Sequence, residues 1–148
     1  MSTGMKKMML VGKTGSGKTT LIQAVQGQGI SYKKTQAVDY CGAFVDTPGE
    51  YIENRRFYTA LMATSSKCDM VALVQDATAV NSIFPPQCAT MFNIRVMGII
   101  TKVDHEDAKI DRAEKFLKWA GVTDIIQTSS MENVGVETVR SCLAEEGK

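Results

Sequence analysis

The chain has 148 residues, 17 basic against 16 acidic, a net charge of +1 and a single histidine. That length suits one domain with a real core, and the balanced charge argues against sequence-independent nucleic-acid binding. Four scattered cysteines (Cys41, Cys68, Cys88, Cys142) read as small buried apolar residues rather than zinc ligands. No apolar run approaches the ~20 residues of a membrane span, and the start lacks the apolar region of a signal peptide. A soluble, intracellular, single-domain protein is expected, with residues 1–4 a tail or cloning scar ahead of a start at Met5.

Met5 to Val11 reads as a buried parallel strand. Gly12-Lys13-Thr14-Gly15-Ser16-Gly17-Lys18-Thr19 follows and fits G-x-x-x-x-G-K-[ST], the phosphate-binding P-loop. Apolar residues at helical spacing then predict a helix from Gly17 to about Gln26, so the motif has its strand–loop–helix setting. Gly12, Gly15 and Gly17 let backbone N–H groups approach phosphate oxygens, and the helix aims its positive end at the same anion. Lys18 can place an ammonium on the outer phosphates, and the Thr19 hydroxyl can ligate Mg²⁺. Gly12 to Thr20 are therefore the phosphate-binding candidates.

Residues 30–36 read as a polar loop. Thr35 is the candidate to sense a terminal phosphate and complete the Mg²⁺ shell; a plain loop threonine is the alternative. Ala37 to Val45 can supply one strand, running into Asp46-Thr47-Pro48-Gly49-Glu50. Asp46 then stands where a Walker-B carboxylate holds Mg²⁺, and the Gly49 N–H can meet a γ-phosphate. Alone, this D-x-P-G stretch reads as a simple turn. Tyr51 to Thr64 reads as a helix, Asp69 to Asp76 as a buried strand, Gln87 to Phe92 as a short helix after Pro85-Pro86, and Ile94 to Ile100 as a further strand.

Thr101-Lys102-Val103-Asp104 comes next. A carboxylate at Asp104 can accept two hydrogen bonds from guanine, whose ring N–H and exocyclic amino group adenine does not match. Lys102 can lay its stem along a base and tie the P-loop. The bland alternative for Asp104 is the N-cap of a helix beginning at His105. Glu106 to Ala120 reads as a helix with Ala113, Phe116, Leu117 and Ala120 on one face and Trp119 covering its edge. Thr123 to Gln127 is the last strand, Thr128-Ser129-Ser130-Met131 a loop that resembles the S-A-x loop whose backbone touches guanine, and Asn133 to Glu145 the last helix. His105 takes no role.

Alternating strands and helices predict a three-layer α/β fold with a mostly parallel sheet, whose ligands bind beyond the strand carboxyl ends. The motifs after Val11, Val45, Ile100 and Gln127 would then meet at one rim.

Together these motifs resemble a Ras-like P-loop GTPase, with [N/T]-K-x-D at residues 101–104 and an S-A-x loop in which Ser130 replaces alanine. More narrowly, Lys33-Lys34-Thr35-Gln36-Ala37, Asp46-Thr47-Pro48-Gly49-Glu50-Tyr51-Ile52-Glu53-Asn54-Arg55 and Thr128-Ser129-Ser130-Met131-Glu132-Asn133-Val134-Gly135-Val136 are similar to the EutP/PduV family. The resemblance implies GTP/GDP and Mg²⁺ as ligands and a bacterial cytoplasmic protein of ethanolamine or propanediol utilisation. It also implies association with the shell or enzyme proteins of a microcompartment. An ATP-dependent acetate kinase, an activity attributed to the ethanolamine branch, and a nucleotide-binding scaffold without useful turnover are the rivals. Two departures stand out. The stretch from Thr35 to Asp46 is short for a full hairpin, since two average strands with a turn need roughly a dozen residues or more. This predicts a truncated or missing edge strand, open to a partner such as a second copy or covered by a charged or disordered segment. Glu50 stands where many GTPases place a water-positioning glutamine, so with Lys18 and Gly49 it completes a catalytic set expected to hydrolyse slowly.

Overall fold

The computed structural model describes residues 6–13, 15–26, 39–41 and 43–144. Thr14 and Thr35 lie outside the described residues. The strands are β1 (Met8–Gly12), β2 (Asp39–Cys41), β3 (Phe44–Asp46), β4 (Met70–Asp76), β5 (Arg95–Thr101) and β6 (Ile125–Gln127). They form one sheet in the order β2-β3-β1-β4-β5-β6, parallel throughout except for β2.

Strand alternation sorts the core into two halves. Met8 and Leu10 of β1, Met70 and Ala72 of β4, and Met97 and Ile99 of β5 face α1 (Lys18–Val25) and α5 (Val136–Ala144). Met9 and Val11, with Val71 and Leu73, face α2 (Glu50–Glu53), α3 (Tyr58–Ser65) and α4 (Ile110–Trp119). Each fully buried side chain of this size contributes about 1.5–3 kcal/mol. Covering both faces makes continuous apolar strands stable, which is why β1 and β4 read as unbroken hydrophobic runs. The three-layer architecture is as expected.

Four local expectations are corrected. Ala37 to Val45 is not one strand: the chain reverses between β2 and β3, which pair antiparallel over three residues each. The edge strand is thus present and shortened. The helix expected over residues 51–64 is broken, because Asn54 is extended and its side chain accepts the Arg56 N–H at 3.1 Å. That local bond competes with the helical ladder, and α2, a 3₁₀ turn at Arg55–Phe57 and α3 result. The helix expected from Glu106 starts only at Ile110. Before it, the Lys109 N–H is drawn to the Ala77 carbonyl at 2.8 Å, and the Asp107 N–H to His105 Nδ1 at 3.0 Å. Trp119 does not cover an edge: it is 75% exposed, while Ala113, Leu117 and Ala120 are buried as expected.

The β4–β5 connection contains no α-helix; its only helical turn is 3₁₀, at Cys88–Met91. Phe84, Cys88, Ala89 and Phe92 fill that part of the core instead. The segment is held to the end of α4 by Gln87 N–H to the Trp119 carbonyl (2.8 Å) and Ala89 N–H to the Ala120 carbonyl (2.9 Å).

Arg140 of α5 closes the other face. Its Nε donates to the Val25 carbonyl at 3.0 Å, its Nη2 reaches the Val25 and Ala24 carbonyls, and Nη1 pairs with Glu137. These carbonyls lie at the end of α1, where the chain leaves the helix. Arg140→Ala is expected to lower stability by about 1–2 kcal/mol, seen as a lower urea midpoint. Arg140→Lys should recover only part, because an ammonium lacks the planar fork.

Candidate functional site

β1 ends at Gly12 with its neighbours β3 and β4 on either side, so the chain leaves the sheet where the strand order splits. A Cβ at Gly12 would sit 2.6 Å from the Val74 carbonyl oxygen, so only glycine lets the loop lie this close to β4. Gly17 then enters α1 at φ +101°, a conformation L side chains resist. Lys18, Thr19 and Thr20 form the first turn. Lys18 is buried, and its Nζ turns back to the Gly12 carbonyl at 3.0 Å and the Lys13 carbonyl at 3.4 Å. Burial pushes its pKa below the ordinary value, and Asp46 opposes that shift. Thr19 Oγ1 donates to Asp46 Oδ2 at 3.0 Å, joining α1 to the end of β3. Two hard oxygen donors side by side suit Mg²⁺, which retains water and substrate oxygens for the rest of its shell. Among the described residues no cluster of three or more acidic, histidine or cysteine side chains could hold a metal by itself.

Beyond Asp46, Thr47 is buried and fastened to β1: its hydroxyl donates to the Leu10 carbonyl at 2.7 Å. Gly49 is buried at the start of α2, and Glu50 is exposed beside it. Arg55 and Arg56 are exposed, and the Arg56 guanidinium lies 5.0 Å from the Phe57 ring centre.

At the end of β5 the Thr101 hydroxyl donates to the Ser16 carbonyl. Lys102 follows at φ +62°. For a side chain of this size that conformation costs about 1–2 kcal/mol. Its Nζ donates to the Gly15 carbonyl at 2.9 Å and pairs with Asp76 Oδ2 at 2.8 Å. With the ammonium side chain 41% exposed, each contact contributes on the order of 1 kcal/mol after solvent screening. The two together therefore offset the strain. Asp104 is exposed, and its Oδ1 accepts the Ser129 hydroxyl at 2.6 Å. It is not a helix cap, because α4 begins six residues later with Lys109 as its N-cap. Ser129 is buried and bridges to Val134, Ser130 is half-buried and Met131 is exposed. The geometry therefore joins the loop after β1 to Asp46 on one side and to Lys102 on the other, and joins Asp104 to Ser129.

Sequence reasoning missed Thr47, Asp76 and Thr78. Asp76 ends β4 on the rim that carries the other motifs, and an acid closing an apolar strand there was the available signal. Its Oδ1 accepts the Thr78 N–H (2.8 Å) and hydroxyl (2.6 Å). A cleft of about 240 Å³ opens beside the loop, lined by Ser16, Gln75, Asp76 and Phe84 among others. Lys18, Asp46 and Asp104 do not line it, so it is a flank of the loop and not the space between the loop and Asp104.

The sequence profile of a family described as "Ethanolamine utilisation - propanediol utilisation" matches residues 5–145. A propanediol utilization protein PduV from Citrobacter freundii is 41% identical over 134 residues, covering 90% of this chain and 89% of its own. A protein from Escherichia coli named probable acetate kinase EutP is 38% identical over 122 residues, 79% of this chain and 75% of its own. GTPase Era from Borreliella burgdorferi is 23% identical over 158 residues, 92% of this chain and 54% of its own. With these similarities, the three-layer architecture is that of a Ras-like P-loop fold with a shortened edge strand.

Burial pushes the Asp76 carboxyl up, but the bonds from Lys102 and Thr78 outweigh it and hold the group below its usual range. A depressed carboxyl stabilises the fold above its unfolded value, near 3.9, and loses that contribution as pH falls through the folded value. Asp76→Asn is thus expected to be less stable than the parent at about pH 7 and 5, with the gap closing toward about pH 3. Urea titrations of both proteins read that convergence.

Proposed function

The chain belongs to the PduV–EutP family of ethanolamine and propanediol utilisation, and on that premise we propose that it is a Mg²⁺-dependent guanine-nucleotide-binding protein with slow GTP hydrolysis. In this reading Gly12 to Thr20 hold the phosphates, with Lys18 on the outer ones. Thr19 and Asp46 hold Mg²⁺, joined by Thr35, and Gly49 reads the γ-phosphate. Thr101, Lys102, Asp104 and the Ser129-Ser130-Met131 loop read guanine. Mg²⁺ supplies charge neutralisation between the phosphates. The observation that supports this most is the Lys102 ammonium, which ties the Gly15 carbonyl at 2.9 Å to the loop that carries Asp104. A carboxylate accepts hydrogen bonds only, whereas glutamine also donates, so Glu50 positions water poorly, which makes the protein a switch or accessory factor before it is a rapid enzyme. Its setting would be the bacterial cytoplasm beside a metabolic microcompartment, whose shell or enzyme proteins are its natural partners.

A second reading, ATP-dependent acetate kinase, is suggested by the name of the Escherichia coli relative. It keeps the phosphate loop and changes the acceptor from water to a small acid. Acetyl phosphate formation, assayed with ATP and with GTP, separates the two: product with ATP above the GTP level selects the kinase.

The primary test is thermal. Saturating GDP and Mg²⁺ at about a hundred times Kd adds about 2.7 kcal/mol, a rise of roughly 5–10 °C in Tm, while equal ATP adds far less. Lys18→Met should abolish that rise. The same change should leave the free protein as stable or more so. A lysine whose folded pKa is lowered opposes folding at neutral pH, and its stability cost fades only as pH rises toward its unfolded value. A Lys18→Met protein that still gains the full GDP shift would sink this reading.

A further inference from the structure

We propose that Asp76 is a positioning residue for nucleotide binding, a carboxylate that sets Lys102 against the phosphate loop before ligand arrives; this rests on the guanine-nucleotide reading above. Its two oxygens have separate duties. Oδ1 takes both the N–H and the hydroxyl of Thr78, at 2.8 and 2.6 Å, which fixes the plane of the carboxylate. Oδ2 is thereby aimed at Lys102 Nζ, 2.8 Å away. The carboxylate side chain is only 16% exposed, whereas its lysine partner is 41% exposed, so the buried member is the fixed one and the lysine the member it orients. From this anchor the ammonium reaches the Gly15 carbonyl at 2.9 Å. Lys102 also holds φ +62°, which a lysine does not adopt unaided. The next strand shares the arrangement, since the Ala77 N–H donates to the Thr101 carbonyl at 2.9 Å and the Lys102 carbonyl accepts the His105 N–H at 3.1 Å. The Asp76 carboxylate bonds only Thr78 and Lys102, and of these only Lys102 would contact the nucleotide, so the effect of the carboxylate on binding passes through that side chain.

The test is a double-mutant cycle on the full chain, using a fluorescent GDP analogue with Mg²⁺ and comparing the parent, Asp76→Ala, Lys102→Ala and the double variant. Asp76→Ala is expected to speed GDP release about tenfold, the loss of one charge-assisted bond, and Lys102→Ala at least as much. The double variant should release no faster than Lys102→Ala alone, because a residue acting through a missing partner has nothing further to lose. Asp76→Asn, whose single carbonyl oxygen cannot serve Thr78 and Lys102 together, should fall between parent and Asp76→Ala. Effects that multiply in the double variant, or an Asp76→Ala protein that releases GDP at the parent's rate, overturn the inference. Should Asp76→Ala not fold, Thr78→Val takes its place in the cycle, with an expected acceleration of about threefold that Lys102→Ala abolishes; multiplicative effects there overturn the inference equally. A parent that binds no guanine nucleotide overturns the proposed function itself. A parent whose binding needs Lys18 and ignores Asp76 overturns only this inference.

Discussion

Everything in this molecule follows from the confinement of β1. The strand is bonded to parallel neighbours on both edges and covered by helices on both faces, and all five of its residues are buried. Nothing polar can leave it sideways. The first place where the chain can expose backbone donors is its carboxyl end, and there Gly12 permits a turn that any larger residue would drive into the Val74 carbonyl. The anion-receptive loop is thus set by the same burial that stabilises the domain. Its neighbours reach the same rim because they run parallel to β1: Asp76 pairs with Thr101 and Thr128 follows the Ile100–Gln127 pair, while Asp46 lies level with Leu10, two residues before β1 ends.

β1 and most of β4 were legible because they are continuous apolar runs, which have no competing periodicity. α1, α4 and α5 were legible from the spacing of Leu21, Ala113, Leu117, Val136, Val139 and Leu143, all of them buried. The two helix failures share a cause: side-chain and backbone bonds of low sequence visibility overrode propensity. Asn54 broke a helix with a single bond to Arg56. Lys109 delayed another by pairing with Ala77, 32 positions away, which no local pattern encodes. Trp119 looked like core material because its size suggested burial, yet it falls off the face that Leu117 and Ala120 turn inward.

For the candidate site, the motifs identified residues that the fold does bring together: Lys18 with Gly12, Thr19 with Asp46, Lys102 with Gly15, Asp104 with Ser129. What they left out is the scaffolding between motifs. Thr47 fastening to Leu10, and Asp76 with Thr78, carry no spacing rule, because their importance lies in which strand lies next to which. Strand order is a tertiary fact, and here β4 sits between β1 and β5, so its last residue adjoins both loops at once.

The connection between β4 and β5 has one further implication. Having no helix of its own, it borrows one: the segment grips α4 at its front through Ala77 and at its rear through Gln87 and Ala89. The Gln87 and Ala89 amides are therefore protected only while the end of α4 stays folded. In amide exchange the connection should behave as part of that helix, opening with it as one cooperative unit rather than breathing independently as loops of its length ordinarily do.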